Sequence, residues 1–124
     1  TIVSCPHQDL NVVRNELFGP VVSALKFADE AEVIAAANDT RFGLAAGIFT
    51  RDVARAMRVT KKIRSGIVWV NTYRMVSPIA PFGGFKDSGW GRESGLEAIY
   101  DYTRPKTVWI NTSSEPIADP FVMQ

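Results

Sequence analysis

Residues Pro81 to Glu93 read Pro-Phe-Gly-Gly-Phe-Lys-Asp-Ser-Gly-Trp-Gly-Arg-Glu, with four glycines, one proline and three aromatic rings and no apolar periodicity. Glycine costs backbone entropy wherever it does not relieve strain, so this density predicts a loop held in unusual backbone angles. A costly loop this rich in aromatics reads as part of a site wall rather than a plain connector. Shortly before it runs Ile67 to Val70, nearly all apolar and ending at Asn71. Its lack of alternation predicts a strand covered on both faces, as in a parallel sheet.

The upstream sequence supplies the elements for such a sheet. Pro20 to Phe27 reads as a strand. Asp29 then caps a helix, and Glu32 completes a capping box. Residues 39–43 form a loop, and Leu44 to Thr50 is a short buried strand. Thr50 can cap the next helix, where Asp52 adds a favourable charge to the first turn. Val53, Ala56, Met57, Thr60 and Ile63 fall at helical spacing as its inner stripe, and Gly66 suits a left-handed cap at its end. The order strand, helix, strand, helix, strand predicts a parallel βαβαβ unit of the α/β class. Arg92 to Tyr100 allows one short helix, and Thr107 to Asn111 one last strand before a polar tail. Val108, Trp109 and Ile110 make that strand apolar, so it needs a sheet to join, either as an edge of the same domain or in a neighbouring subunit.

Composition narrows the function. A chain of 124 residues predicts one domain able to bury a core without disulfides or metals. With 14 basic and 13 acidic residues, the overall charge favours neither nucleic acid nor a membrane surface. One cysteine and one histidine make a dedicated metal site improbable, and a single unpaired thiol is compatible with a reducing cytoplasm. No apolar run approaches the ~20 residues that span a bilayer. Thr1 follows no initiator methionine and opens strand-like sequence, as if cut from a longer chain.

Three candidate chemistries fall away on the residues themselves. Gly89, Gly91 and Ser94 give G-x-G-x-x-S, but Gly95 comes one position too late for a dinucleotide fingerprint and no strand leads into it. Cys5 lies two residues from His7, yet Pro6 separates them and no third group orients the imidazole, so a non-catalytic thiol is expected. Arg51, Arg55, Arg58, Lys61, Lys62 and Arg64 concentrate charge without interleaved aromatics. They read as a solvated helix face, with phosphate-backbone binding as a minor alternative.

Glu16 and Phe18 stand in Asn15-Glu16-Leu17-Phe18-Gly19-Pro20-Val21. On extended backbone, residues i and i+2 point to one side, and Gly19-Pro20 fixes the exit direction. A carboxylate there can accept both hydroxyls of a ribose, and a ring can lie beside a nicotinamide; the plainer reading is a surface glutamate next to a core phenylalanine. Together with the Pro81–Glu93 segment after Val-Trp-Val-Asn, this signature resembles the C-terminal part of an NAD(P)-dependent aldehyde dehydrogenase, from Thr1 to Ile110.

The resemblance implies residues 1–102 as part of a catalytic domain lacking the nucleophile region, and residues 103–124 as an oligomerisation strand and tail. It implies Glu16 and Phe18 as contacts to NAD or NADP and Phe82 as a contact to a small-molecule aldehyde. It also implies a cytoplasmic homo-oligomer whose sheets join through the C-terminal strand, without nucleic-acid or membrane partners. The full enzyme would oxidise the aldehyde to a carboxylic acid using a cysteine and a glutamate that this chain does not match. No catalytic residue is therefore assigned, and the isolated chain is expected to be inactive; the alternative is a non-enzymatic assembly module. In some family members an acidic residue before the last strand can pair with the arginine of Gly-Arg-Glu, where this chain carries Arg104.

Overall fold

The computed structural model describes residues 1–115 with Asp119 and Phe121; the rest of the expected tail lies outside the described residues. In chain order the elements are β1 (Ile2–Ser4), α1 (Asn11–Arg14), β2 (Val22–Ala24), α2 (Glu30–Asn38), β3 (Ala45–Ile48), α3 (Val53–Lys62), β4 (Ile67–Val70), a 3-10 turn (Lys86–Ser88) and α4 (Ala98–Tyr102).

Strands β3 and β4 pair in parallel, from Ala45 opposite Ile67 to Ile48 opposite Val70. Helix α3 is the crossover that a parallel pair requires. The single βαβαβ sheet is not what forms. β2 instead pairs in parallel with β1, Ile2 opposite Val22 and Ser4 opposite Ala24, so the described residues hold two two-stranded sheets. The expected strand over Pro20 to Phe27 shrinks to the three residues that have this partner.

The helices hold together through polar termini. Asp29 accepts from the Glu32 amide at 2.9 Å, while the Glu32 carboxylate reaches back to the Ala28 amide at 2.6 Å, one residue before the expected partner. On α3 the cap is Asp52, which accepts from the Arg55 amide at 3.0 Å. Thr50 instead turns its hydroxyl to the Asp52 amide at 3.1 Å. Glu30 receives both Arg58 nitrogens at 3.2 and 3.0 Å, clamping α2 to α3 and occupying part of the basic face. Asn38 closes the end of α3, donating to the Lys62 carbonyl and accepting from the Arg64 amide. Gly66 is not a left-handed cap, because Ile63 ends α3 in extended backbone.

The expected self-sufficient core does not form. Among the described residues only Cys5, Ala56 and Val59 form a buried apolar core, and of the expected inner stripe of α3 Val53 and Met57 are 76% and 55% exposed. The accessible surface is 10726 Å², against about 6,600 Å² for a folded chain of this mass. Parallel strands need cover on both faces, and two separate strand pairs with one helix layer cannot supply it.

The last expected strand, Thr107 to Asn111, pairs with nothing among the described residues, and Trp109 is 92% exposed. The helix expected over Arg92 to Tyr100 forms later and shorter, at Ala98–Tyr102. No helix of the described residues is long and apolar enough to cross a membrane.

Candidate functional site

Arg14, the last residue of α1, fixes the segment that carries Glu16 and Phe18. Its guanidinium donates to Asp9 Oδ1 at 2.8 Å, Asp39 Oδ2 at 2.7 Å and the Asp39 carbonyl at 2.7 Å. The hydrogen bonds it donates to Asp39 and Asp9 push Arg14 further above its already high range, and the bond accepted from Arg14 holds Asp39 below the ordinary carboxylate value. The chain leaves this clasp extended at Asn15 and turns at Gly19, where the Val21 amide bonds the Gly19 carbonyl at 2.7 Å.

Glu16 and Phe18 border two cavities, one of about 340 Å³ with Val12, Leu17 and Ser23, and the larger Glu16 cavity of about 440 Å³ with Thr40, Phe42, Leu44 and Ser88 on its other sides. The expected extended backbone is corrected at Phe18, whose φ of 47° lies in the left-handed region. The ring is 95% exposed, and the Glu16 carboxylate bonds to no described residue. The volume suits a small organic group, and an exposed ring beside a carboxylate offers a stacking face and an acceptor for the hydroxyls of a ribosyl-nicotinamide. The residues present fit that group.

Phe82 lies in a different place. Its backbone pairs antiparallel with Glu93, at 2.6 and 2.7 Å, which folds the glycine-rich loop back on itself. Arg92 fills the inside of the fold, donating to the carbonyls of Gly84 at 3.0 Å and Gly91 at 2.9 Å, with its own amide on Asp101 at 2.9 Å. The acid that meets Arg92 is thus Asp101, three residues before Arg104, and it takes the backbone amide. The half-buried Phe82 lines a cavity of about 380 Å³ that also meets Leu44, Ser88, Trp90 and Tyr102. Phe82 does not border the Glu16 cavity. The two hollows adjoin at Leu44 and Ser88, which line both.

The loop is stitched to the other wall by Phe85 N to Gly43 O at 2.9 Å, Asp87 N to Arg41 O at 3.0 Å and Gly43 N to Ser88 Oγ at 3.0 Å. These ties, Arg14 and the shared Leu44 and Ser88 have no local sequence signature, since each joins segments far apart in the chain. Cys5 is buried within the β1–β2 ladder, its amide on the Ala24 carbonyl at 2.8 Å, while His7 is exposed.

A parallel strand–helix–strand unit followed by a glycine-rich loop places the chain in the α/β class, and the sequence comparison specifies the family. The profile of the aldehyde dehydrogenase family matches residues 1–108, and the chain belongs to that family. It is 56% identical to (Z)-2-((N-methylformamido)methylene)-5-hydroxybutyrolactone dehydrogenase of Acinetobacter baylyi, covering 100% of this chain and 26% of that protein. It is 51% identical to betaine aldehyde dehydrogenase of Brucella anthropi, over 89% of this chain and 23% of that protein. The NAD+ complex of aldehyde dehydrogenase from Bacillus cereus superposes with a TM-score of 0.85 at 42% identity, over 90% of this chain and 23% of that one. The chain spans about a quarter of the length of the curated relatives it matches.

Proposed function

We propose that this chain acts as the C-terminal portion of an NAD(P)-dependent aldehyde dehydrogenase, within a cytoplasmic enzyme that oxidises a small aldehyde to a carboxylic acid. Residues 1–102 form part of the catalytic domain, and residues 103–124 form an assembly arm. The nicotinamide supplies the hydride acceptor when bound. Glu16 accepts hydrogen bonds from the adjoining ribose, and Phe18 lies beside the nicotinamide ring. Phe82 offers an apolar face to the aldehyde tail and excludes water without competing for the carbonyl carbon. The observation that carries this reading is the pair of adjoining cavities, one bordered by Glu16 and Phe18 and the other by Phe82, joined at Leu44 and Ser88.

The chain supplies walls rather than a nucleophile: its one thiol, Cys5, is buried at 5% exposure away from both hollows. Alone it is inactive, because positioning groups do not replace a covalent step. Residues 108–110, with Trp109 92% exposed, favour a second role, in which the arm adds a strand to the sheet of another copy.

The test is a graft. Residues 1–124 replace the matching 26% of the Acinetobacter baylyi enzyme, and NADH formation is followed with that enzyme's own substrate. A folded chimera that turns over, beside an isolated chain that does not, agrees with the proposal. A folded chimera that binds no NAD+ contradicts it. A defined oligomer of the isolated chain with no part in turnover would favour the assembly module alone.

A further inference from the structure

The geometry points to Lys86 as a positioning residue that locks the aldehyde-side loop against the nicotinamide-side wall; this rests on the function proposed above. Lys86 opens the 3-10 turn in the middle of the glycine-rich loop, with a backbone φ of 54°. A left-handed conformation disfavours any residue with a Cβ by about 1 kcal/mol, so a compensating contact is needed to hold it. The contact is the side chain. Lys86 Nζ donates to the carbonyls of Asn38 and Thr40, each at 2.9 Å.

The Asn38 carbonyl is the last of α2, whose last turn contains no basic residue, and the Thr40 carbonyl lies two residues beyond it. A helix C-terminus presents unpaired carbonyls and a partial negative charge, which a cation satisfies well. Lys86 supplies that cation from 46 and 48 residues away. The same contact sits beside the Glu16 cavity. Thr40 lines the Glu16 cavity, and so do Asp87 and Ser88 of the lysine's own turn, whereas Phe82 lies at the start of the same loop. The remaining ties at Phe85 and Asp87 are made by backbone amides and persist without the lysine side chain. Removing the ammonium therefore leaves the loop attached but free to shift, and hydride transfer is sensitive to displacements of about 1 Å.

The experiment compares Lys86→Met, Lys86→Arg and Lys86→Gly in the chimera, well below its melting temperature. Lys86→Met is expected to lower kcat about tenfold while the NAD+ Kd changes by less than about twofold. It also enlarges the primary isotope effect with substrate deuterated at the reacting carbon. Without cofactor, amide exchange at Phe85 and Asp87 becomes faster. Lys86→Arg retains a donor and recovers most of kcat, whereas Lys86→Gly relaxes the backbone and still behaves like Lys86→Met. Unchanged kcat with only a lower melting temperature in Lys86→Met, or full activity in Lys86→Gly, would overturn the assignment. An unmutated chimera without NAD+ affinity contradicts the proposed function itself, a result distinct from either.

Discussion

Gly66 and Gly83 approach so closely that no side chain fits between them: a Cβ on Gly66 would overlap the Gly83 carbonyl oxygen. This contact seats the glycine-rich loop on the residue just before β4, and the Gly66 amide adds a bond to the Gly43 carbonyl at 3.0 Å. Because the obstructing atom is backbone, Gly66→Ala must displace one segment or the other. We expect a loss of about 1–3 kcal/mol, in the range of overpacked sites. Thermal unfolding of the grafted enzyme measures it, and an unchanged melting temperature would show that the two segments separate easily.

The two carboxylates that clasp the helices give a defined acid response. Hydrogen bonding to Arg58 holds Glu30 below its ordinary 4.5, and hydrogen bonding to Arg14 holds Asp39 below 3.8. Groups with depressed folded values contribute stability above their unfolded pKa and lose it as pH falls through the folded one. Stability should therefore fall as pH drops below these ordinary carboxylate values and level off above them. Glu30→Gln should flatten part of that fall, and added salt should weaken it, since both pairs are solvent-accessible. Urea titrations across this range provide the check; a slope unaffected by Glu30→Gln would remove the ion pair from the account.

What the sequence made legible was local. Asp29 caps α2, and Ile67–Val70 forms its strand within the expected bounds, because a cap and a continuous apolar run are encoded by adjacent residues. Thr50 and Asp52 are both good cap formers two positions apart, and only the path of the chain into α3 assigns the cap to Asp52. Helical spacing identified an apolar side of α3, but burial fell on Ala56 and Val59, because few elements pack there and Val53 and Met57 remain uncovered. Glu16 and Phe18 border shared cavities, but Phe18 is in a left-handed conformation and not on the extended backbone that the spacing argument assumed. The junction at Leu44 and Ser88, and the reach of Lys86 to the end of α2, depend on contacts across more than 40 residues. No window of sequence displays them.

The exposed arm makes a prediction about assembly. Trp109 is 92% exposed between the apolar Val108 and Ile110. An apolar extended segment without a partner favours strand addition, and a charge in its middle opposes it. Trp109→Lys should reduce the oligomer of the grafted enzyme by at least one association step in light scattering. An unchanged mass would assign assembly to another surface.

The separation of the two hollows predicts separable kinetics. Phe82→Ala should raise KM for the aldehyde roughly tenfold through lost apolar contact and leave the NAD+ Kd nearly unchanged. Steady-state kinetics with each substrate varied in turn distinguishes the two effects. A loss of NAD+ affinity in Phe82→Ala would mean that the hollows act as one.

The most direct measurement is the NAD+ dissociation constant of the grafted enzyme, by titration calorimetry, with and without Glu16→Gln. Glutamine keeps the shape and one acceptor but loses the charge. An affinity roughly tenfold weaker is expected for Glu16→Gln, the size of one charge-assisted hydrogen bond, with the melting temperature unchanged. Equal affinity in both proteins would place the ribose elsewhere and contradict the assignment of this cavity.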